Sequence, residues 1–150
     1  MKWLRNLSLD KQNLEYQGIV RTGRGRAVAE MSIPGFQEEL KELFGMNIIP
    51  GTLNLKMTDP LDLKLFRYLK FTDIGWDFDP AKQGVKFKGE MGVYYRRAMV
   101  AKKYPAYVLV FTWVTNLQID AELISTHHLR TVLKLKDGDI VKFTLDREPQ

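Results

Sequence analysis

The chain contains no cysteine. Disulfides, thiolate metal centres and cysteine nucleophiles are therefore excluded, and a reducing cytoplasm is the expected setting. Histidine is scarce too: His127 and His128 are the only two. Adjacent histidines diverge on any regular element, so without further ligands they make a poor metal pair, and neither H-x-x-x-H nor H-x-E occurs. No run approaches the ~18 consecutive apolar residues a membrane helix needs. Arg5, Asp10 and Lys11 interrupt the opening segment where a secretory leader would be apolar. Walker A spacing and the full dinucleotide fingerprint are both missing.

What is present fits one ordinary domain. The 150 residues are 45% hydrophobic and 27% charged, a balance typical of globular chains and not of disordered ones. The net charge is +5 and the pI about 9.4. A basic surface suits an anionic partner: a nucleotide, a phosphate, nucleic acid or an acidic lipid face. It does not choose among them, and a merely basic surface needs no anion at all.

Periodicity divides the chain into short elements. The segment GIVRTGRGRAVAEMSI predicts two strands around a loop rich in Gly and Arg, with Val28, Ala29, Met31 and Ile33 in the second strand. FQEELKELF repeats its apolar residues at helical spacing, and Gly45 follows as a C-terminal cap. GTLNLKM predicts a strand with Leu53, Leu55 and Met57 on one face and Thr52, Asn54 and Lys56 on the other. LDLKLFRYLKF fits either strand or helix, and residues 73–84 predict a loop. The stretch from Val85 to Val114 predicts two or three strands with Gly89, Gly92 and Lys102-Lys103 near the turns. AELIST predicts a strand, HHLRTVLKL a short helix, and DGDIVKFTL a turn with a final strand. Many short strands with one good helix predict a mainly β protein, a small closed β-barrel carrying one or two short helices. The expected boundaries are an N-terminal extension over 1–17, the barrel domain over 18–145 and a frayed tail over 146–150.

Five constellations could carry chemistry. Thr52 and Asn54 point the same way from one strand and offer two uncharged hard oxygens, a pair suited to Mg²⁺ whose charge is balanced mainly by phosphates. By local chemistry alone, a turn and a half-exposed strand facing water explains them better. Thr22-Gly23-Arg24-Gly25-Arg26-Ala27 could turn backbone N–H groups and two guanidinium groups toward an anion, or form a hairpin turn with solvated arginines. Glu122 with the segment 125–130 could belong to a site, although loop residues and a helix cap account for that segment. Asp137 and Asp139 flank Gly138, but one loop offers too little for a cation, so the turn is the better explanation. The basic, aromatic stretch around Arg96, Arg97, Tyr94 and Tyr95 could meet nucleic acid or a flat ring, or form a strand pair with one wet face.

Taken in order, the Gly-rich loop, the P-G-T-L-N block at Pro50 to Asn54, and the closing E…L-R…L-K-D-G-D run resemble the archaeal CTP-dependent riboflavin kinases. The resemblance covers about 18–143. It implies a cradle-loop β-barrel that transfers the γ-phosphate of CTP to the riboflavin 5′-hydroxyl, giving FMN and CDP. It implies that Gly23, Arg24, Gly25, Arg26, Ala27 and Val28 hold the nucleotide phosphates and that Thr52 and Asn54 ligate Mg²⁺. It implies that Glu122 stands at the reacting end of the flavin as the catalytic carboxylate, with Thr115 as a second flavin contact. His127, His128, Leu129 and Arg130 would line the nucleotide. The sequence departs from the family pattern at Ala27, where a third Gly is usual, and at Arg26. It departs again at Val114, where a Thr is usual and Thr115 matches only after a one-residue deletion, and at Thr126, where Pro is usual. A histidine usual just after that Thr has no counterpart. The nucleotide and metal blocks are thus better kept than the flavin block, which leaves open a kinase for another acceptor. LRTVLKLKDGDIVKF also resembles the closing motif of swapped-hairpin DNA-binding regulators, but those do not need P-G-T-L-N or the Gly-Arg loop.

Overall fold

The computed structural model describes residues 14–23, 31, 35–76 and 86–147. Seven antiparallel strands are present: β1 (Glu15–Arg21), β2 (Leu53–Met57), β3 (Arg67–Lys70), β4 (Gly92–Val100), β5 (Tyr104–Phe111), β6 (Asp120–Ser125) and β7 (Ile140–Leu145). Their order is β3-β4-β5-β6-β2-β1-β7, and β7 pairs back onto β4. Six strands therefore close into a barrel, as the sequence predicts. β4 is a fork: residues 92–95 pair with β3, while Ala98, Met99 and Val100 on the same edge pair with Leu145, Thr144 and Phe143 of β7.

Alternation decides what faces inward. Val20, Leu53, Leu55, Ala98, Val108, Leu123, Val141 and Phe143 fill the barrel. Leu61, Phe66 and Leu129, from connecting segments, join the same core. A second core lies outside the wall. Helix α1 (Phe36–Phe44) lays Leu40 and Phe44 against Val93, Leu109 and Ile124 of β4, β5 and β6. Those strands are covered on both faces, which is why β5 reads as a near-continuous apolar run. β1, β2 and β7 have an open outer face, and their buried residues alternate with more exposed ones. The helix starts after Gly35 (φ 88°) and stops at Gly45 (φ 69°), whose N–H donates to the Lys41 carbonyl.

Several boundaries differ from the sequence reading. β1 begins at Glu15, paired with Thr144, so three residues of the expected extension lie in the barrel. Met31, expected in a strand, is helical. The ambiguous segment splits into a 3₁₀ turn (Leu63–Leu65), β3 and another 3₁₀ turn (Phe71–Ile74). Gly92 opens β4, and a Cβ there would press into the Tyr68 ring of the neighbouring strand. The expected helix after His128 is a single turn, α2 (Leu129–Val132), ended by Lys134 at φ 52°. Asp146 is tied down: its N–H donates to the Arg97 carbonyl and its carboxylate pairs with Arg97 at 3.3 Å. Beside it Arg96 is buried, donating to the Leu65 carbonyl at 2.7 Å and to the Asp146 carbonyl.

Candidate active site

The open outer face carries a polar row across three strands. Arg21 stands opposite Asn54, Asn54 opposite Glu122, and Glu122 opposite Leu109. Residues so paired have Cβ atoms roughly 5 Å apart. Thr52, just before β2, reaches the same spot: its hydroxyl donates to Glu122 Oε1 at 2.6 Å. Gly23, two residues past β1, comes down on Asn54. A Cβ at Gly23 would sit 2.6 Å from the Asn54 Cγ and 2.8 Å from its Oδ1. Only glycine lets the chain pass there without displacing the amide. The threonine hydroxyl, the asparagine amide, the glutamate and the start of the Gly-Arg loop are thus one cluster, drawn from β1, β2 and β6.

Its flanks differ in character. Arg21 pairs with Asp120 at 3.1 Å, so the positive end of the row is neutralised within the protein. At the other end Leu109 opens onto aromatics: Phe111 stacks on Trp113 at 4.5 Å between ring centres, and Trp113 meets Phe71 edge-on.

A second cluster adjoins the first through Thr22. The Thr22 hydroxyl donates to Asp137 Oδ2, and Arg130 pairs with Asp137 Oδ1 at 3.1 Å. The hydrogen bond from Thr22, then that from Arg130, hold the Asp137 carboxyl below its ordinary value. Sequence reasoning assigned Asp137 to a turn. No local spacing could have shown that it meets Thr22, 115 residues away.

The remaining predicted residues fall as follows. His127 is exposed, with its ring edge-on to Tyr104 at 4.9 Å and its N–H donating to the Ser125 hydroxyl. His128 is exposed, its Nδ1 2.6 Å from the Thr131 hydroxyl. Leu129 has its side chain buried in the barrel core. Thr115 is exposed in the connection between β5 and β6, and among the described residues no hydrogen bond or ring contact joins it to Glu122. Arg24, Gly25, Arg26, Ala27 and Val28 lie outside the described residues.

The donor set can be tested against a divalent cation. Among the described residues no three His, Asp or Glu side chains converge as a metal site. Thr52 and Asn54 instead offer two neutral oxygens on a half-exposed strand beside one carboxylate. A hydroxyl that donates its proton to Glu122 keeps its lone pairs for a cation. Such a set fits Mg²⁺ that arrives with phosphates supplying most of the negative charge.

A small closed β-barrel with a neutral oxygen pair and a carboxylate beneath Gly23 defines the class. Comparison with known proteins gives the family. The family profile CTP-dep_RFKase, described as a domain of unknown function, DUF120, matches residues 20–145, and the chain belongs to this family. The riboflavin kinase of Saccharolobus solfataricus is 29% identical over 138 residues, covering 92% of this chain and 77% of that protein. The riboflavin kinase of Thermofilum pendens is 31% identical over 140 residues, and the match covers 88% of this chain but 59% of that longer protein. That of Sulfurisphaera tokodaii is 28% identical over 129 residues, covering 86% of this chain and 93% of its own length.

Proposed function

We propose that this protein is a CTP-dependent riboflavin kinase, converting riboflavin and CTP to FMN and CDP. The observation that carries the reading is the convergence of Thr52, Asn54 and Glu122 beneath Gly23. Phosphoryl transfer asks for positioning and charge neutralisation more than for covalent chemistry; this cluster would supply the first directly and the second through the Mg²⁺ that its neutral oxygens fit.

In this reading Thr52 and Asn54 hold Mg²⁺. When bound, the ion adds positive charge at the phosphate oxygens. Backbone N–H groups of the loop that begins at Gly23 hold the triphosphate, and Arg24 and Arg26 offset charge on the transferred group. Arg130, which shares the Asp137 carboxylate with the loop entrance, serves the nucleotide beside it. Glu122 orients the ribityl 5′-hydroxyl and accepts its proton as the oxygen–phosphorus bond forms. The bond from the γ-phosphorus to its bridging oxygen breaks, and CDP leaves. The Thr52–Glu122 hydrogen bond links the metal pair to the carboxylate, so donor and acceptor sites share one anchor. The neighbouring half-buried pair Phe111 and Trp113 is apolar enough to receive a flat ring.

The test is direct. Protein incubated with CTP, Mg²⁺ and riboflavin should form FMN and CDP in equal amounts, with ATP a poor substitute. Absence of FMN with either nucleotide overturns the reading, and FMN formed equally well from ATP overturns the CTP preference.

A further inference from the structure

We infer that Asp137 is a positioning residue for the nucleotide: it sets the distance between the entrance of the Gly-Arg loop and Arg130. The inference rests on the nucleotide-site reading given above and adds to it a residue outside that site's own contacts.

The Asp137-Gly138-Asp139 turn divides its labour. Asp139 builds the turn. Its carboxylate accepts the Lys136 N–H at 2.9 Å and its own N–H donates to the Lys136 carbonyl, while Gly138 takes φ 96°. The backbone then docks the turn on β1, through Gly138 N–H to the Val20 carbonyl and Val20 N–H to the Asp139 carbonyl, both 2.8 Å. These bonds need nothing from the Asp137 side chain. That carboxylate instead reaches away from its turn. One oxygen accepts from Thr22, the residue before Gly23, and the other pairs with Arg130 of α2. The 137–139 turn and its near neighbour α2 thus meet a segment 115 residues away on one exposed carboxylate, and α2 and that remote segment supply groups assigned to the same nucleotide.

A long guanidinium side chain on a one-turn helix is free to wander, and so is a loop entrance beyond the end of a strand. Holding both before the ligand arrives lowers the ordering cost of binding. The docked turn gives that carboxylate a fixed base. Asp137 therefore acts through Thr22 and Arg130 on affinity, not on the chemical step.

The experiment compares wild type, Asp137→Asn and Thr22→Val by calorimetric titration with CDP and Mg²⁺, by melting temperature, and by kinase assay with varied CTP. Wild type should bind CDP. Asp137→Asn should weaken binding and raise the KM for CTP by roughly five- to tenfold, the size expected from losing the order of one or two side chains. Its kcat and melting temperature should stay near wild type. Thr22→Val should weaken binding by a smaller factor. If wild type does not bind CDP or CTP, the nucleotide-site reading itself fails and the inference goes with it. If wild type binds and Asp137→Asn binds equally well, the inference alone is wrong. A large fall in melting temperature in both variants, or a loss confined to kcat, also overturns it, because the role would then be structural or chemical.

Discussion

At the residue scale the decisive contacts are few and short. Thr52 and Asn54 are half-buried on an outer face, so replacing them removes oxygens without opening the core. Thr52→Ala and Asn54→Ala are each expected to cut Mg²⁺-dependent turnover about 10²-fold or more, the size seen when one preorganised charge-stabilising group is lost, with melting temperature nearly unchanged. Gly23→Ala tests the cradle. Its Cβ would occupy the place of the Asn54 amide, so Asn54 must turn away, and kcat/KM should drop by about 10²-fold, as misplacement by an ångström does elsewhere. Asp137 gives a pH signature. Its folded pKa is depressed below the ordinary 3.8, by the Thr22 hydrogen bond first and Arg130 second. The stability it contributes is therefore complete above that ordinary value and is lost as pH falls through the depressed one. Carboxyl NMR should show Asp137 titrating below 3.8, and Thr22→Val should move it back upward. The pairing of Thr52 with Asn54 was readable from strand alternation. The arrival of Gly23 over Asn54 was not, because it depends on how β1 lies beside β2.

At the element scale, helix α1 is where sequence and structure agree best. Its apolar residues recur at helical spacing, a glycine stands at each end, and the observed span is Phe36–Phe44. Its packing partners were hidden, since they come from three strands of the far wall. Phe44 contacts Tyr107 at 4.7 Å and Tyr95 at 5.7 Å between ring centres and is buried. Phe44→Ala should cost about 3–5 kcal/mol, the usual range for removing a core phenylalanine, measurable as a lower urea midpoint. The site residues stand on or beside β1, β2, β6 and α2 and not on α1, so the variant should keep its nucleotide affinity wherever it remains folded. LDLKLFRYLKF resisted assignment for a physical reason: it changes from a 3₁₀ turn to a strand to a second 3₁₀ turn within twelve residues, 63–74. No single period describes it.

At the scale of the whole molecule, the barrel class was readable from many short strands, but closure was not. Closure rests on β4 meeting β7, a pairing that leaves no local mark on either strand. The charge of +5 accords with an anionic ligand, though it could not say which. No described cluster of His, Asp or Glu holds a metal, and no helix among the described residues is long and apolar enough to cross a membrane. If the metal comes with its nucleotide, chelation should silence catalysis and spare the fold. EDTA is expected to abolish FMN formation while the melting temperature of the ligand-free protein does not move. A substantial fall in that temperature would mean a structural ion.

The fork in β4 has a mechanical side. Among the described residues three ladder pairs, at Ala98, Met99 and Val100, with a flanking backbone bond at each end, fasten β4 to β7, whereas eight residue pairs bind β4 to β5. A hoop latched so briefly unlatches there first, helped shut by the Arg97–Asp146 clasp at 3.3 Å. Such breathing would part the wall on one flank and leave β1, β2 and β6 laced together on the other. Amide deuteration should thus run faster along that latch than along the lacing, and a catalyst so built can flex without loosening its grip on substrate.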